Sequence, residues 1–298
     1  MNSTDNSPLT SDTLPVHRSP SYRMLAVDID GTLVNSRDEL TDGVRNALRE
    51  AADAGIRIVL ATGRRYSRAL PLVEPLGLDA PVVSASGSLI KCPLSHRTLH
   101  VASLAREDLL AIMQLTTARG FDVVLYADTY DAGFDYYCRT LDTPSRVLAQ
   151  YFALNEGCGR ERPNIVNDPP EGVFAGFAMG SRDEMLDLHE ALQAAFPGTL
   201  YTHVLRSPRY EGYMCEIAPA GATKWSGIRF VADMWNVADH EICAVGDDVN
   251  DLPMLEACGL GVAMGNAVGE LKAAAHRIAP TNDEDGLAEV VRWILPGR

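Results

Sequence analysis

The stretch Leu25-Ala26-Val27-Asp28-Ile29-Asp30-Gly31-Thr32-Leu33 begins as a compact apolar run and ends in two carboxylates, a glycine and a hydroxyl. The apolar half predicts a buried strand. Residues two apart on a strand point the same way, so Asp28 and Asp30 can share one face at the strand's C-terminal end. Open parallel sheets bind their ligands at that end. Two carboxylates so close repel one another unless a cation or a proton intervenes. The pair therefore suggests a divalent metal, or an acid beside a nucleophile. An Asp-Gly turn with two solvated acids is the plainer alternative for these residues alone.

Working outward, Thr41 is placed to cap a helix running to about Ala54, with Val44, Leu48 and Ala51 on one stripe. Gly55 ends it, and Arg57 to Thr62 predicts the next strand, followed by Gly63-Arg64. A second helix is expected from about Ser67 to Leu76, and a third short strand over Pro81 to Ser86, ending at Gly87. The same rhythm returns near the other terminus. Trp225 to Trp235 and Asp251 to Ala257 predict helices; Glu241 to Gly246, Leu260 to Met264 and Arg277 to Ala279 predict strands. Strands alternating with helices at this spacing imply right-handed parallel crossovers. The fold class is thus α/β, a doubly wound, Rossmann-like parallel sheet assembled from residues 21–88 and 211–298.

The middle, 89–210, has another texture. Strands are expected at Thr98–Ala102, Asp122–Ala127, Val173–Met179 and Thr199–Leu205, and helices at Ala105–Arg119 and Asp183–Ala195. An aromatic stretch from Phe134 to Phe152 and a Gly-, Pro- and Asn-rich stretch from Asn155 to Pro170 separate them. This pattern predicts an inserted α+β cap with its own antiparallel sheet. Its crossings are expected near Gly87–Pro93 and Ser207–Gly212, where Gly and Pro suit hinges. Tyr126, Tyr136, Tyr137, Arg206, Arg209 and Tyr210 are the insert's candidates for reading a ligand.

The chain has 298 residues, 46% hydrophobic and 22% charged, which suits an ordinary globular protein of about two domains. Its net charge of −14, from 26 basic and 40 acidic residues, disfavours a nucleic-acid or anionic-membrane partner. Six cysteines without C-x-x-C pairing or zinc-spaced histidines indicate free thiols and a cytoplasmic setting. No apolar run approaches the roughly 20 residues of a membrane span. Residues 1–20, polar and rich in Pro, Ser and Thr, are expected to be a disordered tail.

Four separated pieces fall at or just after predicted strand ends: Asp28-x-Asp30-Gly-Thr-Leu, Ala61-Thr62-Gly63-Arg64, Lys224 within Ala220 to Gly227, and Gly246-Asp247-Asp248-Val-Asn250-Asp251. Taken singly, Thr62 reads as a helix cap and Lys224 as a solvated helix lysine. All four in this order around one sheet argue for a single site. Other scaffolds fail on spacing: no acidic segment has both the glycine and the glutamate of an EF-hand, and there is no G-x-x-x-x-G-K-[ST] loop. The seven histidines are scattered and read as surface or core residues.

Those pieces closely resemble the haloacid dehalogenase superfamily, specifically its Cof-type phosphatases. The likeness rests on DIDGTL, ATGR, the lysine after the insert and GDDVNDLPML. It continues through Val262-Ala-Met-Gly-Asn-Ala267 and Thr281-Asn-Asp-Glu-Asp-Gly286. In the insert it is one of size and element order only. One departure is Ser86, where such proteins commonly carry Asn; the shorter side chain lacks an amide donor.

The resemblance implies a phosphatase acting on small-metabolite phosphomonoesters, sugar phosphates or phosphorylated cofactors, through an aspartyl-phosphate. It makes Asp28 the nucleophile and Asp30 the acid and base. It makes Mg²⁺ the cofactor, held by Asp28, the backbone carbonyl of Asp30, and Asp247. Thr62, Gly63 and Lys224 would bind the phosphoryl group. Asp248, Asn250 and Asp251 would orient Lys224 and the metal's waters, and Ser86 and Arg64 are candidate substrate contacts. The expected assembly is a monomer or weak homodimer. A phosphomutase of related fold is the alternative reaction, and a non-catalytic phosphate-binding protein the alternative class. Asp30 argues against the latter: superfamily dehalogenases lack that second aspartate and transporting ATPases carry threonine there.

Overall fold

The structure is a computed structural model that describes residues 22–206 and 210–295. The tail expected over 1–20 and the candidate Arg209 lie outside the described residues.

In chain order the strands are β1 (Met24–Asp28), β2 (Arg57–Ala61), β3 (Val82–Ser84), β4 (Leu89–Lys91), β5 (Thr98–Val101), β6 (Val124–Tyr126), β7 (Tyr136–Cys138), β8 (Gly159–Glu161), β9 (Ala175–Gly180), β10 (Leu200–Leu205), β11 (Tyr213–Pro219), β12 (Ile242–Gly246), β13 (Leu260–Ala263) and β14 (Arg277–Ile278). The helices are α1 (Asp42–Asp53), α2 (Tyr66–Val73), α3 (Arg106–Ala118), α4 (Arg146–Leu154), α5 (Arg182–Ala195), α6 (Lys224–Met234), α7 (Leu252–Ala257), α8 (Gly269–Ala274) and α9 (Gly286–Ile294).

β1 is buried along its whole length because helices cover both of its faces. Leu25 and Val27 pack with Val44 and Leu48 of α1 and Val290 of α9, whereas Met24 and Ala26 pack with Ile228 of α6 and Leu255 of α7. Alternate side chains thus enter two separate cores, which is why the segment reads as an unbroken apolar run. β1 pairs in parallel with β2 and β12, and the sheet runs β14-β13-β12-β1-β2-β3-β4-β5. The parallel, doubly wound expectation is met from β14 to β3.

The second sheet, β10-β11-β9-β6-β7-β8, is antiparallel except for its β7–β8 edge. Helices α3 and α5 cover one face, through Ile112, Met113, Leu188 and Leu192. The other face carries α4, through Leu148, Tyr151 and Phe152, and then opens toward the first sheet.

The strand pairing corrects both ends expected for the insert. Gly87, at φ +109°, turns the chain back so that β4 pairs antiparallel to β3. The strand expected at Thr98 then extends the first sheet beyond β4 instead of opening the insert. At the far end, β11 is central to the second sheet, paired with both β10 and β9. By its pairing the insert therefore lies between Val101 and Pro219. The segment Gly87–Pro93 belongs to the β3–β4–β5 meander and is not a crossing; the crossing expected near Ser207–Gly212 falls on residues 207–209, which lie outside the described residues. Among the described residues, no helix is long and apolar enough to cross a membrane.

Candidate active site

Asp28 closes β1 and is only 2% exposed. The chain then turns over Ile29–Leu33, closed by the Val34 N–H donating to the Ile29 carbonyl at 3.2 Å. Gly31 takes φ +72°, and a Cβ there would land in the Asp247 carboxylate, so glycine is required twice over. β12 ends beside it. A Cβ on Gly246 would collide with Asp251, which lets that side chain fold beneath the turn. Asp251 Oδ2 accepts the backbone N–H groups of Asp247 at 2.9 Å and Asp248 at 3.1 Å.

Lys224 begins α6. Thr223 and Ser226 cap that helix reciprocally, each side-chain oxygen accepting the other's backbone N–H, at 3.0 and 2.9 Å. Gly227 lets α6 press on Val83, and Gly87 makes room for the Thr223 carbonyl. An ammonium at a helix N-terminus opposes the helix dipole. Three carboxamide and carboxylate oxygens hold it there: Asp28 Oδ1 at 2.6 Å, Asp251 Oδ1 at 2.7 Å and Asn250 Oδ1 at 2.9 Å.

Burial alone would lower the Lys224 ammonium, but the Asp28 and Asp251 charges outweigh it and hold the group above its ordinary value. For Asp28, burial and then Asp251 push the carboxyl up, and Lys224 pulls it back. Burial, followed by Asp251 and Asp248, pushes Asp247 up to about 6. One ammonium thus faces three carboxylates, of Asp28, Asp247 and Asp251, whose oxygens approach within 4.8 Å of one another. Asp28 Oδ2 is buried without a partner. An orphaned carboxylate oxygen beside an excess of negative charge is the environment of a hard divalent cation. Asp251, with both oxygens already engaged, is the least available of the three. The Asp30 carboxylate stands apart from this cluster.

Asp30 is held on the other side of the turn. Thr62 Oγ1 donates to its Oδ2 at 3.0 Å, and Arg64 Nε donates to its Oδ1 at 2.7 Å. Arg64 also reaches Asp38 Oδ1 at 2.8 Å. Thr62 is fully buried, and its hydroxyl accepts the Arg64 backbone N–H at 2.9 Å. Both residues are therefore engaged with Asp30 here, while Gly63 and Arg64 line the cavity above it. Ser86 lines it too, at φ +54° beside Ala85 at φ +47°. Two successive non-glycine residues in this region are strained, and asparagine tolerates it better than serine.

The cavity measures about 950 Å³. Its floor is Asp28, Asp30, Lys224 and Asp247, with Asp248 and Asn250 at the edge, and its roof is the open face of the second sheet. Tyr126, Arg206 and Tyr210 line it as expected. Tyr136 is buried in the insert's core, and Tyr137 packs on the opposite face of that sheet.

Sequence reasoning missed three contributors. Asn266 donates to the Gly31 carbonyl at 2.9 Å and to Asp247 Oδ2 at 3.2 Å, and accepts the Asn282 N–H at 3.0 Å. Its signal was the Val262–Ala267 run, noted above without a role for this side chain. Arg65 spans the two sheets, donating to Asp135 Oδ2 at 2.8 Å and Asn155 Oδ1 at 2.9 Å. Glu216 stands in the roof.

An α/β core whose strand ends gather this acid cluster beneath an inserted sheet defines a hydrolase class, and comparison with known proteins agrees. Residues 25–291 match the family of haloacid dehalogenase-like hydrolases, and the chain belongs to it. It is similar to phosphatase YwpJ of Bacillus subtilis, 27% identical over 92% of this chain and 100% of that protein. It is 25% identical to the 5-amino-6-(5-phospho-D-ribitylamino)uracil phosphatase YwtE of the same organism, over 93% of this chain and 99% of that one. A haloacid dehalogenase-like hydrolase of Bacteroides thetaiotaomicron superposes with a TM-score of 0.74 at 27% identity, covering 92% and 99% of the two chains. Family and relatives together make this chain a phosphatase.

Proposed function

We propose that the protein is a Mg²⁺-dependent hydrolase of small-metabolite phosphomonoesters that works through an aspartyl-phosphate on Asp28. The observation that carries this is the Asp28 carboxylate itself: Oδ1 is fixed by Lys224, and Oδ2 is buried with no partner in the floor of the cavity.

Asp28 attacks the phosphorus of the ester. Its carboxylate oxygen forms the new O–P bond as the bond to the leaving oxygen breaks. Asp30 gives its proton to the departing alkoxide. It then takes a proton from the water that attacks the acyl phosphate, releasing inorganic phosphate and restoring Asp28. Thr62 and Arg64 orient Asp30 for both transfers. Lys224 pulls the Asp28 carboxyl toward its ionised form and, with the backbone around Gly63, meets the charge developing on the phosphoryl oxygens. Asp251 and Asn250 hold Lys224, and Asp248 caps the turn that carries Asp247 by accepting the Val249 N–H at 2.7 Å. Asp28, Asp247 and the backbone carbonyl of Asp30 would hold Mg²⁺, which supplies the positive charge that lets these carboxylates coexist with a phosphate dianion.

The relative YwtE takes an ester whose leaving group is a ribityl chain on a pyrimidine, as its name states. That supports a sugar- or polyol-bearing metabolite, or a phosphorylated cofactor, as the substrate here. The test is a phosphate-release screen over sugar phosphates, pyridoxal phosphate, flavin mononucleotide and nucleotides, with Mg²⁺ and with excess EDTA. Release of free phosphate only with Mg²⁺ is expected. Full activity in EDTA, or isomerised phosphate esters in place of free phosphate, would overturn the reading.

A further inference from the structure

The roof of the cavity carries a carboxylate that none of these roles uses. Glu216 sits in the middle of β11, directly opposite His203 on β10 and Phe177 on β9. Alternation along the strand places its side chain with those of Met214 and Ala218, on the face that covers the cavity, and all three line it. Phe177 and Tyr201 line the same space. Burial raises the Glu216 carboxyl, and no cation or donor among the described residues offsets it. The guanidinium of Arg65, which also lines the cavity, is already taken by Asp135 and Asn155. Glu216 is half-buried and faces the cavity beside Phe177 and Tyr201, so a ligand that fills this space displaces the water there and must itself supply the carboxylate's hydrogen bonds. Floor and roof therefore make opposite demands. The floor has Lys224 to meet the phosphate, whereas mid-β11 the roof presents a negative acceptor, with Arg206 lining the cavity just past the end of β10.

We propose that Glu216 selects the leaving group: it accepts hydrogen bonds from hydroxyl or amino groups there, and rejects leaving groups that carry a negative charge of their own. This rests on the phosphatase reading above and narrows its substrates to esters whose one anionic group is the phosphate. The physical basis is twofold. Once a ligand fills the cavity, a donor-bearing leaving group satisfies this half-buried acceptor, and a second anion placed beside it is left repelled and desolvated.

The test uses the full chain with Mg²⁺ and matched pairs that differ by one carboxylate: glucose 6-phosphate against 6-phosphogluconate, and glyceraldehyde 3-phosphate against 3-phosphoglycerate. Each is read as kcat/KM or, if bound without turnover, as Ki against p-nitrophenyl phosphate. The parent protein should prefer the uncharged leaving group by about tenfold or more. Glu216→Gln keeps the shape, removes the charge, and should narrow that ratio by about fivefold or more. Asp187→Asn, an equal charge change on the exposed side of α5, should leave the ratio within about twofold, because exposed charges at a distance are screened. The inference is overturned if the parent shows no preference or binds neither member of any pair. It also falls if Glu216→Gln leaves the ratio unmoved or Asp187→Asn moves it equally. Hydrolysis of p-nitrophenyl phosphate in those cases leaves the phosphatase reading standing. Failure to hydrolyse any ester overturns that reading and this inference with it.

Discussion

The Lys224 ammonium donates to Asp28 Oδ1 at 2.6 Å across a sequence separation of 196 residues, and both side chains are sealed from water. The contact joins the two halves of the core that the insert divides. It also fixes which oxygen of Asp28 is engaged and which is left open, so the chemistry and the fold meet in one bond.

Asp28→Asn should abolish turnover and leave the fold intact. A missing nucleophile has no local substitute, and a loss of about 10³-fold or more is expected. The amide also relieves the repulsion among Asp28, Asp247 and Asp251, so the metal-free melting temperature should be unchanged or higher. Phosphate release and thermal melting on the same preparation check both. Activity within about tenfold of the parent would remove Asp28 from the nucleophile's role.

Lys224→Met should behave differently, losing stability as well as activity. Removing the cation leaves Asp28 and Asp251 buried and uncompensated, a change that costs about 3–5 kcal/mol. The loss should shrink as the pH falls. The Asp28 carboxyl, raised by burial, binds its proton in the folded state before the unfolded chain does, so it stabilises at low pH and ceases to as pH rises through its folded value. Denaturant midpoints of parent and variant at pH 5 and pH 8 test this, with the larger gap expected at pH 8.

Much of this site can be read from one dimension because its parts are local. Asp28 ends β1 and Asp30 lies two residues on in the turn that follows, Asp247 to Asp251 share one turn, and a both-faces-buried strand such as β1 announces itself as an unbroken apolar run. What escaped depends on partners distant in sequence. The half-buried residues of β5 fit a strand in either sheet, and only the reversal at Gly87 assigns them to the first. β11 lies just ahead of the Lys224 piece and reads as the return to the core, which hid Glu216. Asn266 acts on Gly31, 235 residues away, and no periodicity encodes such a contact.

Asn266→Ala should weaken divalent-cation binding by about 10- to 100-fold, because its amide ties Asp247 to the Gly31 carbonyl. In the parent, the Asp247 carboxyl at about 6 sets the pH dependence. That value lies above the ordinary 3.8, so in the metal-free protein this group's contribution to stability falls as pH rises from below 4 to above 6. A cation needs the ionised form, so the thermal shift on adding Mg²⁺ should be full above pH 6. Affinity should then drop about tenfold by pH 5. Melting curves with and without Mg²⁺ at pH 5 and pH 7.5 read both effects, and equal shifts at the two values would contradict the assignment of Asp247.

Arg65 should govern how tightly the insert sits over the site. It projects from the start of α2 in the core to Asp135 and Asn155 in the insert, and its guanidinium lies 5.7 Å from the Tyr126 ring centre and 6.0 Å from that of Tyr136. The ion pair is mostly buried, with 15% and 14% of the two side chains exposed, so it is poorly screened and its loss leaves Asp135 unsatisfied. Arg65→Met keeps much of the stem's packing and removes every donor. The insert should then dock less firmly, raising KM for esters that fill the cavity by about tenfold. A small activated ester such as p-nitrophenyl phosphate, which depends mainly on the floor, should lose less. Hydrogen exchange supplies the independent readout: amides near Asp135 and Asn155 should exchange faster in the variant, and those of β1 should not. Equal losses on every ester, with unchanged exchange in the insert, would show that Arg65 only packs and does not hold the two sheets together.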